Sequence, residues 1–301
     1  NSASAAGGYA VDNSCRFNDG SSDNLSRTFG TNNSGVYKWT YSFWIKRATL
    51  GTSQDITTAA VDGNNVGVIR FNSTDVFEIY DYQSAYKLRK VTNRLFRDTS
   101  AWYHIVISND NSVSSPVLGL YINGVQETSF STDTNYTQNQ ATIFNKNIGN
   151  KIGINYNAGG SFFDGYISEA VFIDGLALDA TSFGEFDEDS GIWKPIDVSG
   201  LTFGTNGFYL DFEDSGALGD DVSGNGNDFT VNNLTAIDQS TDTCTTNFAT
   251  LNPLDNFYYN GTFTEGNLKI INGSGREASA TATIAISNGK WFWEVKPKSN
   301  V

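Results

Sequence analysis

The sequence contains no methionine, one histidine, two cysteines and four prolines among 301 residues. Because His104 is the single histidine, a multi-histidine metal site is excluded. Its neighbours Tyr103 and Ile105 indicate a strand, so we expect His104 to be a packed or hydrogen-bonded core residue. Cys15 and Cys244 are too few for a disulfide framework and lack metal-ligand spacing, so we expect two unpaired thiols.

The chain also has few charges, and most of them are negative. Charged residues make up 17% of the sequence, against about 25% in a typical soluble domain, and the formal net charge is −14. Nucleic-acid binding is therefore not expected. Lys87, Arg89, Lys90, Arg94 and Arg97 form one basic cluster, which we interpret as protection of a solvated edge strand, with an anion site as the alternative.

A long apolar run of about 18 residues is absent, so no membrane insertion is expected. What the chain has instead is aromatic residues, 14% of the total, set in short alternating segments. In residues 38–47, Trp39, Tyr41, Phe43 and Ile45 share one face, whereas the other face is polar except for Trp44. This alternation predicts an antiparallel strand with one buried and one wet face.

Similar segments recur through residues 13–180, which predicts an all-β, antiparallel two-sheet sandwich. Asn123 and Gly124 tolerate the positive φ of a type I′ turn and predict a hairpin. Asp179 is a candidate cap for one short helical turn. Side chains predicted to be buried are Trp44, Trp102, Ile105 and Ile122.

The chain is divided by composition into four parts. Residues 1–12 are small and polar and predict a flexible arm, and residues 13–182 form the sandwich. Residues 183–247 are interpreted as a connecting segment in which strands at 208–212 and 228–232 form a hairpin. Strands predicted at 266–271, 280–286 and 289–295 open a further β unit over 248–301. Its sheet is unfinished, so we expect the natural polypeptide to continue.

Ten short motifs run through the chain: SCRFN (14–18), LSRT (25–28), FWIKR (43–47), NRLFRD (93–98), AWYH (101–104), FIDG (172–175), GEF (184–186), YLDF (209–212), SGNGND (223–228) and LNPLD (251–255). In their sequence and order these segments resemble a laminin-G-like, concanavalin A-type β-sandwich (jelly roll) followed by the start of a SPRY-like domain, as in marine bacteriophage virion proteins. The resemblance implies a virion-surface protein, commonly a tail fibre or head appendage. We expect other virion proteins as partners and a homo-oligomer, with a trimer as the first hypothesis.

Two segments have the composition of a carbohydrate-binding site. Sugars offer apolar faces and many hydroxyls, so aromatic platforms beside Asn and Asp side chains suit them. One segment supplies Tyr80, Asp81, Tyr82 and Tyr86, and the other supplies Asn155 and Tyr156. Either segment could hold a host-surface glycan, and packing on a sheet face is the alternative for the tyrosines.

A third segment is rich in oxygen ligands. Asp221, Asn225, Asn227 and Asp228 could supply the hard oxygens that calcium prefers. The same residue types are selected by tight turns, so a purely structural turn is the alternative.

Hydrolysis of glycans by paired acids is the competing function for this fold. The usual signature on one strand is Glu-x-Asp-x-x-Glu. The nearest match starts at Glu185 and has Ser190 in the sixth position, so no catalytic residues are assigned. The sequence therefore favours a non-enzymatic virion-surface protein that contributes to host-glycan attachment, and a secreted or surface glycan hydrolase is the alternative.

Overall fold

The computed structural model describes residues 8–31, 35–157, 159–258, 261–272 and 278–297. Helix makes up 4% of the chain, and antiparallel sheets pack as a sandwich, which confirms the predicted fold. The helical segments described are short 3-10 turns at Asp19–Ser21, Gly35–Tyr37, Ala180–Ser182 and Ala236–Asp238. In this part of the chain no helix has the length and apolarity needed to cross a bilayer.

The first of the two main sheets, sheet A, is built around two ten-residue strands. Its spatial order is β10 (Val125–Gln126), β9 (Gly119–Ile122), β8 (Tyr103–Asp110), β3 (Lys38–Arg47), β13 (Gly165–Asp174), β1 (Ser14–Phe17) and β18 (Gln239–Ser240), with β16 (Phe208–Leu210) also paired to β13. The long central strands are rich in aromatic and β-branched residues, which fit a pleated surface that is buried.

Sheet B packs against sheet A and is also antiparallel. Its order is β11 (Phe130–Thr134), β7 (Tyr86–Leu95), β6 (Val76–Gln83), β5 (Asn65–Phe71), β4 (Gln54–Asp62), β12 (Gly149–Ile152), β2 (Asn24–Thr28) and β17 (Thr230–Asn232). Three two-stranded sheets complete the described strands: β14 (Gly184–Phe186) with β15 (Trp193–Pro195), β19 (Leu251–Tyr258) with β22 (Ala278–Ala282), and β20 (Thr262–Thr264) with β21 (Lys269–Ile271).

The main core lies between sheets A and B. Trp39, Tyr41, Phe43 and Ile45 all point into it from β3, as the alternation predicted. Complete burial of such side chains stabilises the fold by about 1.5–3 kcal/mol each. All four side chains predicted to be buried are buried, Ile105 and Ile122 in this core and Trp44 and Trp102 in a second one.

That second core covers the outer face of sheet A, so the prediction of a wet face is wrong. Thr40, Ser42, Trp44 and Lys46 are no more than 4% exposed. The segment after β13 folds back over them and adds five buried side chains to the hydrophobic cluster that contains Trp44: Ala180, Phe183, Trp193, Val198 and Phe203. The single tryptophan among polar residues on this face is the sequence signal of that second contact.

Two local predictions are confirmed by the backbone. Asn123 and Gly124 have φ of 50° and 77°, and they connect β9 to β10 with Val125 opposite Ile122. The Asp179 side chain accepts a hydrogen bond from the Thr181 amide and begins a short 3-10 turn. Local turn chemistry was therefore sufficient to place both features.

The strands predicted as a hairpin within 183–247 do not pair with each other. Strand β16 pairs with β13 in sheet A, and β17 pairs with β2 in sheet B. A hairpin does occur in this segment, but it is formed by β14 and β15. Residues 208–232 therefore pass from one sheet of the sandwich to the other.

The two ends of the chain were predicted less well. Residues 1–7 of the predicted arm lie outside the described residues, but residues 8–12 are attached: Val11 is 3% exposed and its amide donates to Thr245 Oγ1 at 3.0 Å. In the C-terminal unit, strands occur at Lys269–Ile271 and Ala278–Ala282, whereas 289–295 has no strand. Trp291 and Phe292 in that stretch are 64% and 88% exposed.

Candidate functional site

Three tyrosines form a cluster on the outer face of sheet B. Tyr80 and Tyr82 point to this face from β6 because side chains alternate along a strand. The ring of Tyr86, at the start of β7, meets both of them edge to face, with centroids 5.8 Å from Tyr80 and 5.1 Å from Tyr82. Tyr86 is 46% exposed, so the cluster presents an aromatic edge to solvent.

Charged side chains hold the tyrosines in place. Glu78 Oε2 accepts from Arg70 at 2.9 and 2.7 Å, and Glu78 Oε1 accepts from Arg89 at 3.0 Å. The Arg70 guanidinium lies 5.3 Å from the Tyr80 ring centroid, and that of Arg89 lies 4.8 Å from the Tyr86 centroid. Each contact adds a cation–π attraction to the ion pairs. We call Arg70, Tyr80, Tyr82, Tyr86 and Arg89 the tyrosine surface.

The second predicted segment lies on the same face of sheet B. Asn155 Nδ2 donates to Asp55 Oδ2 at 2.9 Å, and Asp55 is the cross-strand neighbour of Arg70. The Ile154 carbonyl accepts from Thr58 Oγ1 at 3.0 Å, so this segment runs alongside β4. The Tyr156 hydroxyl lies next to Gly63, in the turn between β4 and β5. The two segments, which the sequence offered as alternatives, therefore border one continuous face.

Asp81 does not belong to that face. It alternates with Tyr80 and Tyr82, so its side chain enters the interior of the sandwich and is 0% exposed. Asp81 Oδ2 accepts from the Tyr136 hydroxyl at 2.9 Å and from the Ile143 amide at 2.8 Å. Its assignment to glycan binding is wrong, because the alternation that places the tyrosines outside places Asp81 inside.

Protonation fixes the hydrogen-bonding roles at this face. Burial raises the pKa of Tyr80 to about 12, so its hydroxyl keeps its proton at neutral pH and can donate. Burial also raises the pKa of Asp55 to about 6, against the opposing effect of the Arg70 charge. Asp55 Oδ1 is buried without a hydrogen-bond partner, while Oδ2 is used by Asn155.

The predicted calcium ligands are used by the loop itself. Asp221 accepts from the amides of Tyr209 and Asn227 at 2.8 Å each, and Asp228 Oδ1 accepts from the Asp221 amide at 3.0 Å. Asn225 Nδ2 donates to the Gly207 carbonyl at 2.9 Å. Asn227 Oδ1 accepts from Arg27. This geometry fits the structural-turn alternative, and no cluster of three or more His, Cys, Asp or Glu side chains suited to a metal occurs among the described residues.

The basic cluster of β7 is paired with acids rather than gathered into an anion site. Lys90 contacts Asp133 at 2.6 Å, Arg94 contacts Glu127 at 2.8 Å, and Arg97 contacts Asp75 at 2.9 Å. Strand β7 lies between β6 and β11, so the interpretation as an edge strand is also wrong. These charges neutralise neighbouring carboxylates.

The acidic stretch after β13 has no acid–base geometry for hydrolysis. Glu185 lies on the exposed hairpin strand β14, and both Glu185 and Asp187 contact Lys194, at 3.3 and 3.2 Å. Hydrogen bonds from Ser190 and Lys194 lower the pKa of Asp187 to about 2. This hairpin covers sheet A and takes no part in the tyrosine surface.

Four residues of the site were missed by the sequence analysis: Asp55, Arg70, Glu78 and Arg89. Glu78 could have been found, since it precedes Tyr80 and Tyr82 at the same two-residue spacing. The sequence places Arg89 only in the basic cluster. Asp55 and Arg70 come from other strands, and only the register of β4 against β5 brings them to the face.

Residues 19–181, more than half of the chain, match a laminin-G family model described as the concanavalin A-like lectin/glucanases superfamily. No curated protein matches the sequence. Among solved structures, a candidate carbohydrate-binding protein from Bacteroides ovatus is 15% identical, with a TM-score of 0.49 over 75% of this chain and 61% of that one.

Two further structures are similar in fold. Domain 4 of an extracellular arabinanase from Geobacillus stearothermophilus, in complex with arabinotriose, is 22% identical over 48% of this chain and 65% of that one, with a TM-score of 0.38. Domains LG4-5 of the mouse laminin α1 chain are 12% identical over 57% of this chain and 44% of that one, with a TM-score of 0.39. This chain thus spans less than two thirds of each of the three.

Proposed function

This chain belongs to the concanavalin A-like lectin/glucanase superfamily, and on that premise we propose that it is a non-catalytic glycan-binding protein whose tyrosine surface contacts the sugar. The observation that carries the proposal is the edge-to-face cluster of Tyr80, Tyr82 and Tyr86 at solvent, held by two arginines. Aromatic rings pack on the apolar faces of sugar rings, while the tyrosine hydroxyls and the arginines donate to sugar hydroxyls.

The tyrosine surface is already rigid before a ligand binds, and this supports the binding proposal. Arg70 and Arg89 are fixed by Glu78, and each lies against a tyrosine ring, so little side-chain entropy remains to be lost when a ligand arrives. The loop carrying Asn155 is hydrogen-bonded to Asp55, beside Arg70, and forms the border of the tyrosine surface. The site is therefore suited to recognition by a preformed surface.

Hydrolysis, the alternative function, would need two carboxyl groups able to reach a glycosidic oxygen. Asp55 and Glu78 flank Arg70 on this face, but they are 0% and 1% exposed. Glu78 is also held by two arginines. Their burial favours a supporting role beneath the sugar over acid–base chemistry.

We propose that this binding takes place at a virion surface, where the chain is part of a tail fibre or another appendage that attaches to host glycans. The support is the sequence resemblance to marine bacteriophage virion proteins, including the SPRY-like wording near the C-terminal end. A homo-oligomer, with a trimer as the working hypothesis, would multiply one weak sugar contact into useful avidity. Electron microscopy of intact particles and sedimentation of the purified chain test these two assignments.

The binding proposal is tested by isothermal titration of the 301-residue chain against algal and bacterial polysaccharides. A Tyr86→Ala variant is expected to weaken binding about tenfold, corresponding to roughly 1.4 kcal/mol. Tyr258→Ala is the matched control, because Tyr258 is 77% exposed and lies outside the tyrosine surface. Equal affinities for Tyr86→Ala and the unaltered protein would place the site elsewhere, and release of reducing sugar would favour the hydrolase.

A further inference from the structure

A buried amine lies where the end of β3 meets the segment that follows β18. The Lys46 side chain is 1% exposed. Its Nζ is 2.8 Å from Asp242 Oδ2, 2.8 Å from Asn247 Oδ1 and 3.0 Å from the Phe248 carbonyl oxygen. One amine thus contacts a carboxylate and a side-chain amide at the same time.

The carboxylate and the amide are both held in fixed orientations. Trp102 Nε1 donates to Asp242 Oδ1 at 3.0 Å, which leaves Oδ2 directed at the amine. The Asn247 Nδ2 group donates to the Ser100 carbonyl at 2.8 Å, which turns the amide oxygen towards Lys46. The amide carbon lies only one C=O bond, about 1.2 Å, beyond that oxygen.

Burial makes the charged form of the amine less favourable. Tyr166 and Trp102, which surround it, are 1% and 8% exposed. Burial lowers the pKa of Lys46, although the Asp242 charge opposes this effect. Desolvation is one of the ways in which proteins make a lysine nucleophilic.

An ordinary buried ion pair accounts for the contact of Lys46 with Asp242 but not for its contact with the Asn247 amide. Lys90 is also buried, at 2% exposure, and contacts Asp133 at 2.6 Å, so it serves as the comparison within the same chain. Within the described residues, the hydrogen bond of Lys90 Nζ is made to Asp133 Oδ1, a carboxylate, and not to a side-chain amide. Lys46 differs in having both a proton acceptor and an electrophilic amide in contact with one amine.

From this arrangement we propose that Lys46 and Asn247 form an intramolecular isopeptide bond, with Asp242 as the catalytic acid–base. Asp242 takes a proton from the Lys46 ammonium, and the neutral Nζ attacks Asn247 Cγ. The N–C bond forms, and the tetrahedral intermediate then loses the amide nitrogen, which leaves as ammonia after receiving a proton through Asp242. The overall change joins one ammonium to one amide and releases one ammonium ion, so no oxidant or cofactor is needed.

The bond would join the centre of sheet A to the segment that follows β18. Lys46 lies in β3, and Asn247 follows the last strand of the sandwich. The cross-link would close a loop that includes nearly the whole sandwich, and closure of a long loop restricts the unfolded chain most. The segment after β18 could then not separate from sheet A even where its non-covalent contacts open.

The test is the intact mass of the 301-residue chain under denaturing conditions, followed by peptide mapping. The expected mass is that of the sequence less one ammonia per chain. Trypsin should fail to cleave after Lys46 in the denatured protein but should cleave after Lys90, and one branched peptide should contain Lys46 and Asn247. An unchanged mass overturns the proposal, as does ammonia loss with normal cleavage after Lys46, which is the pattern of a succinimide.

Two variants assign the roles in the reaction. Asp242→Asn should retain the full sequence mass, because the proton carrier is lost, whereas Asn247→Asp should lose water instead of ammonia if it reacts. Continued ammonia loss in Asn247→Asp would show that another residue reacts. These outcomes are independent of glycan binding, which takes place on sheet B, and the mass of the unaltered chain decides the matter even if a variant fails to fold.

Discussion

The imidazole Nδ1 of His104 accepts a hydrogen bond from the indole Nε1 of Trp193 at 2.9 Å. An indole N–H can only donate, so Nδ1 carries no proton and the neutral ring is protonated on Nε2. That Nε2 therefore donates to the Ser42 hydroxyl, 2.9 Å away. His104 cannot take a proton from Ser42 in this state, so the buried pair is structural rather than catalytic.

The first prediction concerns acid sensitivity through His104. Burial lowers its pKa from 6.5 to about 3. Between these values the unfolded state binds more protons than the folded state, so the free energy of unfolding falls as the pH is lowered through this window. The slope from this group approaches about 1.4 kcal/mol per pH unit.

Urea denaturation at several pH values measures that slope. His104→Gln, which does not titrate, should lack this part of it even if its stability at pH 7 is lower. Titration of the His104 ring between pH 5 and 8 in NMR spectra would contradict the buried neutral state.

The second prediction concerns Glu169, for which the free energy of unfolding depends on pH in the opposite direction. Its Oε2 accepts from the Tyr209 hydroxyl at 2.7 Å and from the Tyr9 hydroxyl at 3.2 Å. Burial raises its pKa from 4.5 to about 7, and the charges of Asp211 and Glu213 add to the rise. The folded state then holds the extra proton, so this stabilisation is complete at low pH and is lost as the pH rises to about 7.

The free energy of unfolding of Glu169→Gln, relative to that of the unaltered chain, should therefore be higher at pH 8 than at pH 5. Glu188→Gln is the control, since Glu188 is exposed and lies in the loop between β14 and β15. A difference that does not change with pH would mean that Glu169 is ionised in the fold.

The third prediction concerns Trp102, which packs in the second core and donates to Asp242. Trp102→Ala should lower the free energy of unfolding by about 3–5 kcal/mol, because a large cavity opens and Asp242 loses a partner. Trp102→Phe keeps most of the volume and should cost less. A loss below about 1 kcal/mol for the alanine variant, measured by chemical denaturation, would be inconsistent with its burial.

The fourth prediction separates backbone strain from steric overlap. Gly51 and Gly124 have φ of 73° and 77°, but a Cβ on Gly51 would meet open space, whereas one on Gly124 would lie 2.2 Å from Trp193 Cε3. Gly51→Ala should cost about 1 kcal/mol from φ alone. Gly124→Ala should cost a further 1–3 kcal/mol, approximately, because the ring must move. Equal thermal shifts would indicate that Trp193 does not pack on the turn.

Local patterns predicted the sandwich because they depend on neighbours in sequence. The two-residue period of β3 placed Trp39 and Phe43 in the core, and the same period, if applied to β6, would have placed Asp81 inside. Long-range pairing could not be predicted in this way. Strand β17 pairs with β2, and Asn155 meets Asp55 across the same sheet, and no local signal specifies either partner.

The pairing of β1 with β18 determines how the sandwich responds to tension. These strands are antiparallel, with Ser14 opposite Ser240, so the chain enters and leaves the sandwich at one end of sheet A, on adjacent strands. In a chain without the Lys46–Asn247 bond, a pull between residue 8 and the β19–β22 sheet would therefore act on the β1–β18 hydrogen bonds one after another. With the bond, the force would pass from Asn247 to Lys46 in β3, and β18 would carry none of it.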